Sequence, residues 1–122
     1  MERVTTIHLL CTLARDFYTV QIKSIVKLLQ ESVYFDLDQD ILEDELAREF
    51  SLDSASIEAW FQYSEGKRSD SGWYIVEEKN SFYVGYFGHP GRQGISFRNR
   101  EAACARFAKM EIEDIASRLA DR

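Results

Sequence analysis

Cysteine and histidine are scarce in this sequence, and their scarcity excludes the commonest metal sites. Two cysteines (Cys11, Cys104) and two histidines (His8, His89) are present, and no Cys-x-x-Cys pair occurs. A zinc site built on sulfur is therefore excluded, and no second histidine lies at ligand spacing. Both cysteines fall in helical patterns, which favours two buried thiols in a reducing compartment over a disulfide.

Long apolar runs and phosphate-binding loops are also lacking. No run approaches the roughly 18 to 20 residues that span a bilayer. The chain begins Met1-Glu2-Arg3-Val4 without a secretory signal pattern, so we expect a cytoplasmic protein. The glycines between Gly85 and Gly94 are not followed by Lys-Ser/Thr, and Gly85 more simply indicates a bulge or a close approach in a sheet. We expect no cofactor, no catalytic residue and a protein that acts by binding.

Acidic residues are abundant, and their excess is confined to one segment. The chain carries a net charge of −6, with 21 acidic and 15 basic residues. Residues 36–49 carry seven acids and one base, whereas the segments on either side are close to neutral. Phosphate backbones would be repelled here, which indicates a basic protein partner and no direct nucleic-acid binding. The acids are Asp36, Asp38, Asp40, Glu43, Asp44, Glu45 and Glu49.

The start of this segment resembles the start of an EF-hand calcium loop, Asp36-x-Asp38-x-Asp40. The sixth position of such a loop needs glycine for a sharp turn, and the twelfth needs a bidentate glutamate. Here those positions hold Ile41 and Ala47. We therefore interpret the segment as a solvated acidic cap with no metal.

The first half of the chain has a helical period. Apolar residues from Ile7 to Val33 fit either one long helix or two helices, and we favour a break near Asp16–Thr19, where capping residue types occur. A third helix is predicted over 39–50, with Ile41, Leu42, Leu46 and Phe50 on its buried side. A short fourth helix should follow Asp53 or Ser54, and Ser64–Ser71 should be a loop.

The second half predicts a three-stranded antiparallel meander. Residues 73–76 and 82–87 are rich in β-formers around a turn at 78–81, and a Gly-rich loop leads to a short strand at 95–97. Asn99 should cap a long C-terminal helix, about 100–120. The expected fold is therefore one α+β domain, with helices over 1–63, the meander over 72–98 and the C-terminal helix over 99–120.

Aromatic residues are concentrated in the hairpin. Trp73, Tyr83 and Tyr86 are candidate partner-binding residues together with the six acids from Asp36 to Glu45, because exposed Tyr and Trp are preferred interface anchors. Equally, these aromatics would serve as cross-strand pairs that support the sheet. A run of bases after the hairpin forms either a basic patch opposite the acids or a solvated face. These bases are Arg92, Arg98, Arg100, Arg106 and Lys109.

The region 72–110 resembles immunity proteins of bacterial contact-dependent inhibition and related polymorphic toxin systems. The similarity lies in Gly72-Trp73-Tyr74-Ile75-Val76, in 82–86, and in the run from Ile95 through Glu101-Ala102-Ala103-Cys104-Ala105-Arg106-Phe107. Members of these families combine a hairpin, a strand and a helix with a similar opening, and they share no catalytic residues.

The resemblance implies a monomeric inhibitor that binds a cognate toxin domain, often a nuclease, in a one-to-one complex. An acidic surface suits the basic cleft of a nuclease. The alternative is an acidic chaperone for a secreted effector, which would form a homodimer with an extended hydrophobic groove.

Overall fold

The structure is a computed structural model and describes residues 2–20, 24–32, 34–36, 42–67, 72–87 and 94–120. These residues form helices, three strands and a 3-10 turn at Tyr34–Asp36. The helices are α1 (Arg3–Cys11), α2 (Leu13–Val20), α3 (Ile25–Glu31), α4 (Glu43–Phe50), α5 (Ser54–Lys67) and α6 (Arg100–Ala120). The strands are β1 (Gly72–Glu78), β2 (Ser81–Phe87) and β3 (Ile95–Phe97). The predicted α+β class is confirmed.

The sheet is the predicted antiparallel meander in the order β1-β2-β3. Glu78 pairs with Ser81, so a two-residue turn of Lys79 and Asn80 joins the first two strands. Lys79 takes a positive φ of 29°, the conformation that such tight hairpin turns demand. Because β2 lies in the centre, β1 and β3 present the two edges of the sheet.

Helix α6 holds the sheet and the helical half together. The Asn99 side chain accepts a hydrogen bond from the Ala102 backbone N–H at 2.8 Å, which confirms the predicted N-cap. The helix packs against α4, α5 and all three strands. Four residues at helical spacing form its apolar stripe and are almost completely buried: Cys104, Ala108, Ile112 and Ile115.

The junction between the first two helices differs from the prediction. Helix α2 runs straight through Asp16–Thr19, so the predicted break there is wrong. The interruption lies at Thr12 instead, whose hydroxyl lies 3.0 Å from an Asp16 carboxylate oxygen. Asp16 therefore acts within the first turn of α2 and does not end a helix. Capping residue types do not by themselves show which turn they serve.

Helix α5 is longer than predicted. It runs for 14 residues, so the predicted loop is wrong over Ser64–Lys67, and its remainder, 68–71, lies outside the described residues. In the middle of the helix, Trp60 donates from Nε1 to the Cys11 carbonyl at 2.9 Å in the core. Near its end, the Ser64 hydroxyl contacts the backbone of Ile75. These tertiary contacts stabilise the helix through Ser64–Lys67, although the composition of that segment favours a loop.

Helix α4 is confirmed from Glu43 onward, whereas 39–41 lie outside the described residues. Leu46 and Phe50 are completely buried, as predicted, but Leu42 precedes the helix and is 60% exposed. The placement of Leu42 on the buried side was therefore wrong, because a residue at the N-cap lies outside the helical repeat. None of the helices in the described part of the chain is both long and apolar enough to cross a bilayer.

Candidate partner-binding surfaces

The acidic segment is only partly described. Asp38 and Asp40 lie outside the described residues, and Asp36 ends the 3-10 turn. Glu43, Asp44 and Glu45 occupy the first turn of α4, where negative charge interacts favourably with the N-terminal end of the helix dipole. We use the name α4 acidic face for Glu43, Asp44, Glu45 and Glu49.

Helix α1 provides partners for two of these acids. The Arg3 guanidinium donates two hydrogen bonds to the Glu45 carboxylate, at 2.9 Å from Nε and 2.8 Å from Nη2. One turn further along, His8 Nδ1 lies 2.7 Å from Glu49 Oε1. The partners are 42 and 41 residues apart in the chain. Because this sequence separation is nearly the same for both pairs, α1 and α4 lie side by side and run in the same direction.

Glu45 is the best-fixed carboxylate of the α4 acidic face. It accepts a third hydrogen bond from the Leu42 backbone N–H at 3.0 Å, which satisfies one of the unpaired donors at the helix N-terminus. The hydrogen bonds from Arg3 hold the pKa of Glu45 below its usual range, and the same pair raises the pKa of Arg3. Glu45 therefore stays charged and engaged within the fold.

Helix α6 compensates Glu43. Arg106 Nε lies 2.6 Å from Glu43 Oε1 as an ion pair, without the alignment of a hydrogen bond. Two other members of the predicted basic run are also paired: Arg100 with Glu58 and Lys109 with Glu113, each at 2.6 Å. Arg98 is exposed, and Arg92 lies outside the described residues. Among the described residues, three bases of this run pair with acids and only Arg98 stays exposed, so the run forms no separate basic patch there.

Asp44 is the member of the α4 acidic face that stays exposed, with no ion-pair partner among the described residues. Exposed apolar side chains accompany it at the same end of the α1–α4 pair. Leu42 is 60% exposed and Val4 is 72% exposed. Both apolar residues flank the ion pair between Arg3 and Glu45. Val4 follows Arg3 in the chain, and the Leu42 backbone N–H donates to Glu45.

The aromatic candidates divide between the two faces of the sheet. Trp73 pairs directly with Tyr86, two residues from the buried pair Ile75 and Val84. Since side chains alternate along strands, Trp73 and Tyr86 share the helix-facing side with that pair. Trp73 packs against the hydrophobic core, and its ring meets Tyr86 edge to face at 5.1 Å between centroids. These two residues are a cross-strand pair that supports the sheet.

Tyr83 lies on the opposite face, with Tyr74 and Phe87. The Tyr74 ring stacks on Phe87 at 4.3 Å and lies 6.0 Å from Tyr83 between centroids. The rings of Tyr74 and Tyr83 pass over Gly85, where an added Cβ would lie 2.6 Å from Tyr74 Oη. The predicted close approach at Gly85 is therefore confirmed. Burial, followed by the neighbouring Tyr83 hydroxyl, raises the pKa of the Tyr74 phenol.

A pocket of about 480 Å³ opens between α5 and the β1 edge of the sheet. We call it the edge pocket, and its volume falls within the range of roughly 300 to 1,000 Å³ typical of ligand sites. The Ser64 hydroxyl, in its wall, binds the Ile75 N–H at 2.9 Å and the Ile75 carbonyl at 3.2 Å, which covers the strand edge there. Its lining comprises Glu58, Phe61, Ser64, Glu65, Tyr74, Ile75, Val76, Glu77, Phe82, Phe87 and Arg100.

The edge pocket was missed at the level of sequence. Its charged members Glu58, Glu65 and Glu77 lie in segments that are close to neutral along the chain. The sequence placed Ser64 at the start of a predicted loop, whereas the fold aligns it with an edge strand.

Comparison with protein-family models, curated proteins and solved structures gave no match.

Proposed function

We propose that this chain is an immunity protein that binds a cognate toxin domain one to one and neutralises it in the cytoplasm. The toxin domain is a basic protein, and a nuclease fits the charge best. The protein acts by occupying a surface of the toxin and performs no chemistry itself. The support comes from the resemblance over 72–110 and from one surface of the fold.

The observation that supports the proposal best is the exposed apolar surface at the N-terminal ends of α1 and α4. Leu42 and Val4 are exposed by 60% and 72%, and they adjoin the carboxylates of the α4 acidic face. Exposed apolar side chains rimmed by charge are what protein interfaces present before they are covered. In a complex, these two side chains would act as anchors and Asp44 would contribute charge at the rim.

Electrostatics supports a basic partner. A nuclease needs a positively charged cleft for phosphates, and an acidic surface can enter that cleft and accelerate encounter. The ion pairs within the fold limit which carboxylates can serve: Glu43 and Glu45 already bind Arg106 and Arg3. Asp44 is therefore the residue of α4 whose charge is most available to a partner.

The test is co-expression with the product of the adjacent reading frame, provided that it encodes a large protein with a variable C-terminal toxin domain. We expect protection of growth and a one-to-one complex by size-exclusion chromatography with light scattering. The absence of both protection and a complex would refute the proposal. A homodimer of the isolated protein that binds only an unfolded effector would instead support the chaperone alternative.

A further inference from the structure

The edge pocket combines aromatic walls with unbalanced negative charge. Phe61 meets Phe82 edge to face at 6.0 Å between centroids, and the stacked Tyr74 and Phe87 rings form another part of the lining. Phe87 is 43% exposed, so this apolar surface is open to solvent. An apolar pocket of this volume favours a guest with substantial nonpolar or flat surface.

The charged groups of the lining determine which charge a bound group should carry. In the part of the chain that the structure describes, the lining contains three carboxylates, from Glu58, Glu65 and Glu77, and one guanidinium, from Arg100. Arg100 is already bound to Glu58 at 2.6 Å. Glu65 and Glu77 are exposed and have no cationic partner among the described residues. The lining therefore repels phosphates and carboxylates and attracts a cation.

We propose that the edge pocket receives an arginine side chain of the protein partner. A guanidinium stacks on aromatic rings through its flat face and binds carboxylates through its edge, whereas a lysine ammonium is compact and strongly hydrated. Arginine is also enriched among the residues that dominate interface energies. The inference deepens the proposed function and depends on it for the identity of the partner, but the chemistry of the pocket is testable without any toxin.

The experiment titrates the ¹⁵N-labelled full chain with N-acetyl-arginine amide and follows the backbone amide resonances of Ile75, Val76 and Phe82. We expect saturable shifts with a dissociation constant of the order of 1 mM, as befits a single side chain. N-acetyl-citrulline amide has nearly the same shape without the charge, and we expect it to bind at least about tenfold more weakly.

Matched variants locate the site. The double variant Glu65→Gln/Glu77→Gln keeps the size of both exposed side chains, and we expect it to weaken arginine-amide binding about tenfold or more. Phe87→Ala removes one stacked ring and should weaken binding without abolishing it. Glu2→Gln removes an exposed carboxylate at the start of α1, outside the edge pocket, and should leave the affinity unchanged. The ¹⁵N spectrum of each variant reports whether it is folded.

Three results would overturn the inference: no saturable shift at the pocket residues, equal binding of the citrulline amide, or unchanged binding in the double variant. Because the probe contains no toxin, a failure here leaves the co-expression result standing. Conversely, a chain that protects against no toxin but binds the arginine amide selectively would refute the proposed function and retain the cation pocket.

Discussion

The α4 acidic face and the edge pocket are both rich in carboxylates, but they differ in what surrounds those carboxylates. On α4, Glu43 and Glu45 form ion pairs with Arg106 and Arg3, and Glu49 contacts His8. Among the described residues that line the pocket there are three carboxylates and one arginine, which is bound to Glu58. Charge density along the chain is therefore a poor guide to the charge that the folded surface presents.

The two regions also differ in what their polar groups do for the fold. On α4, the ion pairs lie at the surface and are partly exposed, with Arg3 and Glu45 side chains 32% and 23% exposed, and such pairs contribute little to stability. In the wall of the edge pocket, Ser64 is 2% exposed and satisfies two backbone groups of an edge strand. Substitutions in each region test this contrast.

The largest effect should come from Ser64→Ala at the edge pocket. Loss of the hydroxyl leaves the Ile75 N–H and carbonyl without a buried partner, so we expect a loss of about 1–3 kcal/mol in the free energy of unfolding. Urea denaturation followed by circular dichroism measures it. The matched control is Ser51→Ala, which removes an exposed hydroxyl bound to the Arg48 carbonyl and should change stability by less than about 0.5 kcal/mol. Equal effects in the two variants would contradict the role assigned to Ser64.

Sequence patterns predicted the second half of this fold better than the first. The turn at 78–81, the strand at 95–97 and the cap at Asn99 follow from local residue preferences, and all three are confirmed. The predicted loop was wrong over Ser64–Lys67 because tertiary hydrogen bonds and packing overrode those preferences. The predicted break near Asp16–Thr19 was wrong because a capping residue type does not show which turn it serves. Local patterns do not contain that information.

The candidate surfaces show the same limit. The acids of 36–49 are visible in the sequence, but nothing local indicates that Arg3 and Arg106 neutralise two of them across the fold. Trp73 and Tyr86 form a cross-strand pair, which was the alternative to partner binding in the sequence analysis, whereas Tyr83 lies on the other face of the sheet. The edge pocket depends on where α5 approaches β1, which a sequence pattern does not specify.

A smaller effect, with a distinct pH profile, should follow Glu45→Gln on the α4 acidic face. Glutamine keeps an acceptor for the Leu42 N–H, so the change isolates the charge that binds Arg3. Because the folded pKa of Glu45 is lowered, its contribution is present above the unfolded value of about 4.3 and is lost as pH falls through the folded value. The wild type should be slightly more stable at pH 7, and the two melting temperatures should converge in acid.

Thermal unfolding from pH 7 down to pH 3 measures this convergence. Arg3→Gln and the double variant complete a mutant cycle, in which the coupling between Arg3 and Glu45 should vanish as the carboxylate becomes protonated. A stability difference that stays constant with pH would mean that the effect comes from packing and not from the charge of Glu45.

Asp44→Lys should have a small effect on stability, because Asp44 is exposed and has no ion-pair partner among the described residues. We expect a loss of about 1 kcal/mol or less, since the lysine would lie in the first turn of α4, where the helix dipole favours negative charge. Association with a basic toxin domain should nevertheless slow by roughly two- to tenfold at low salt, and its salt dependence should flatten. Stopped-flow measurements at several salt concentrations report both quantities.

The matched control for Asp44→Lys is Glu31→Lys, which makes the same change in net charge at an exposed position of α3. Equal slowing in both variants would mean that only the total charge matters, and no local surface would be assigned. Slowing in Asp44→Lys alone would place the basic partner against the α4 acidic face. If neither variant changes the rate while Glu65→Gln/Glu77→Gln does, the partner approaches through the edge pocket, and the charge concentrated along 36–49 serves mainly the pairing of α4 with α1 and α6.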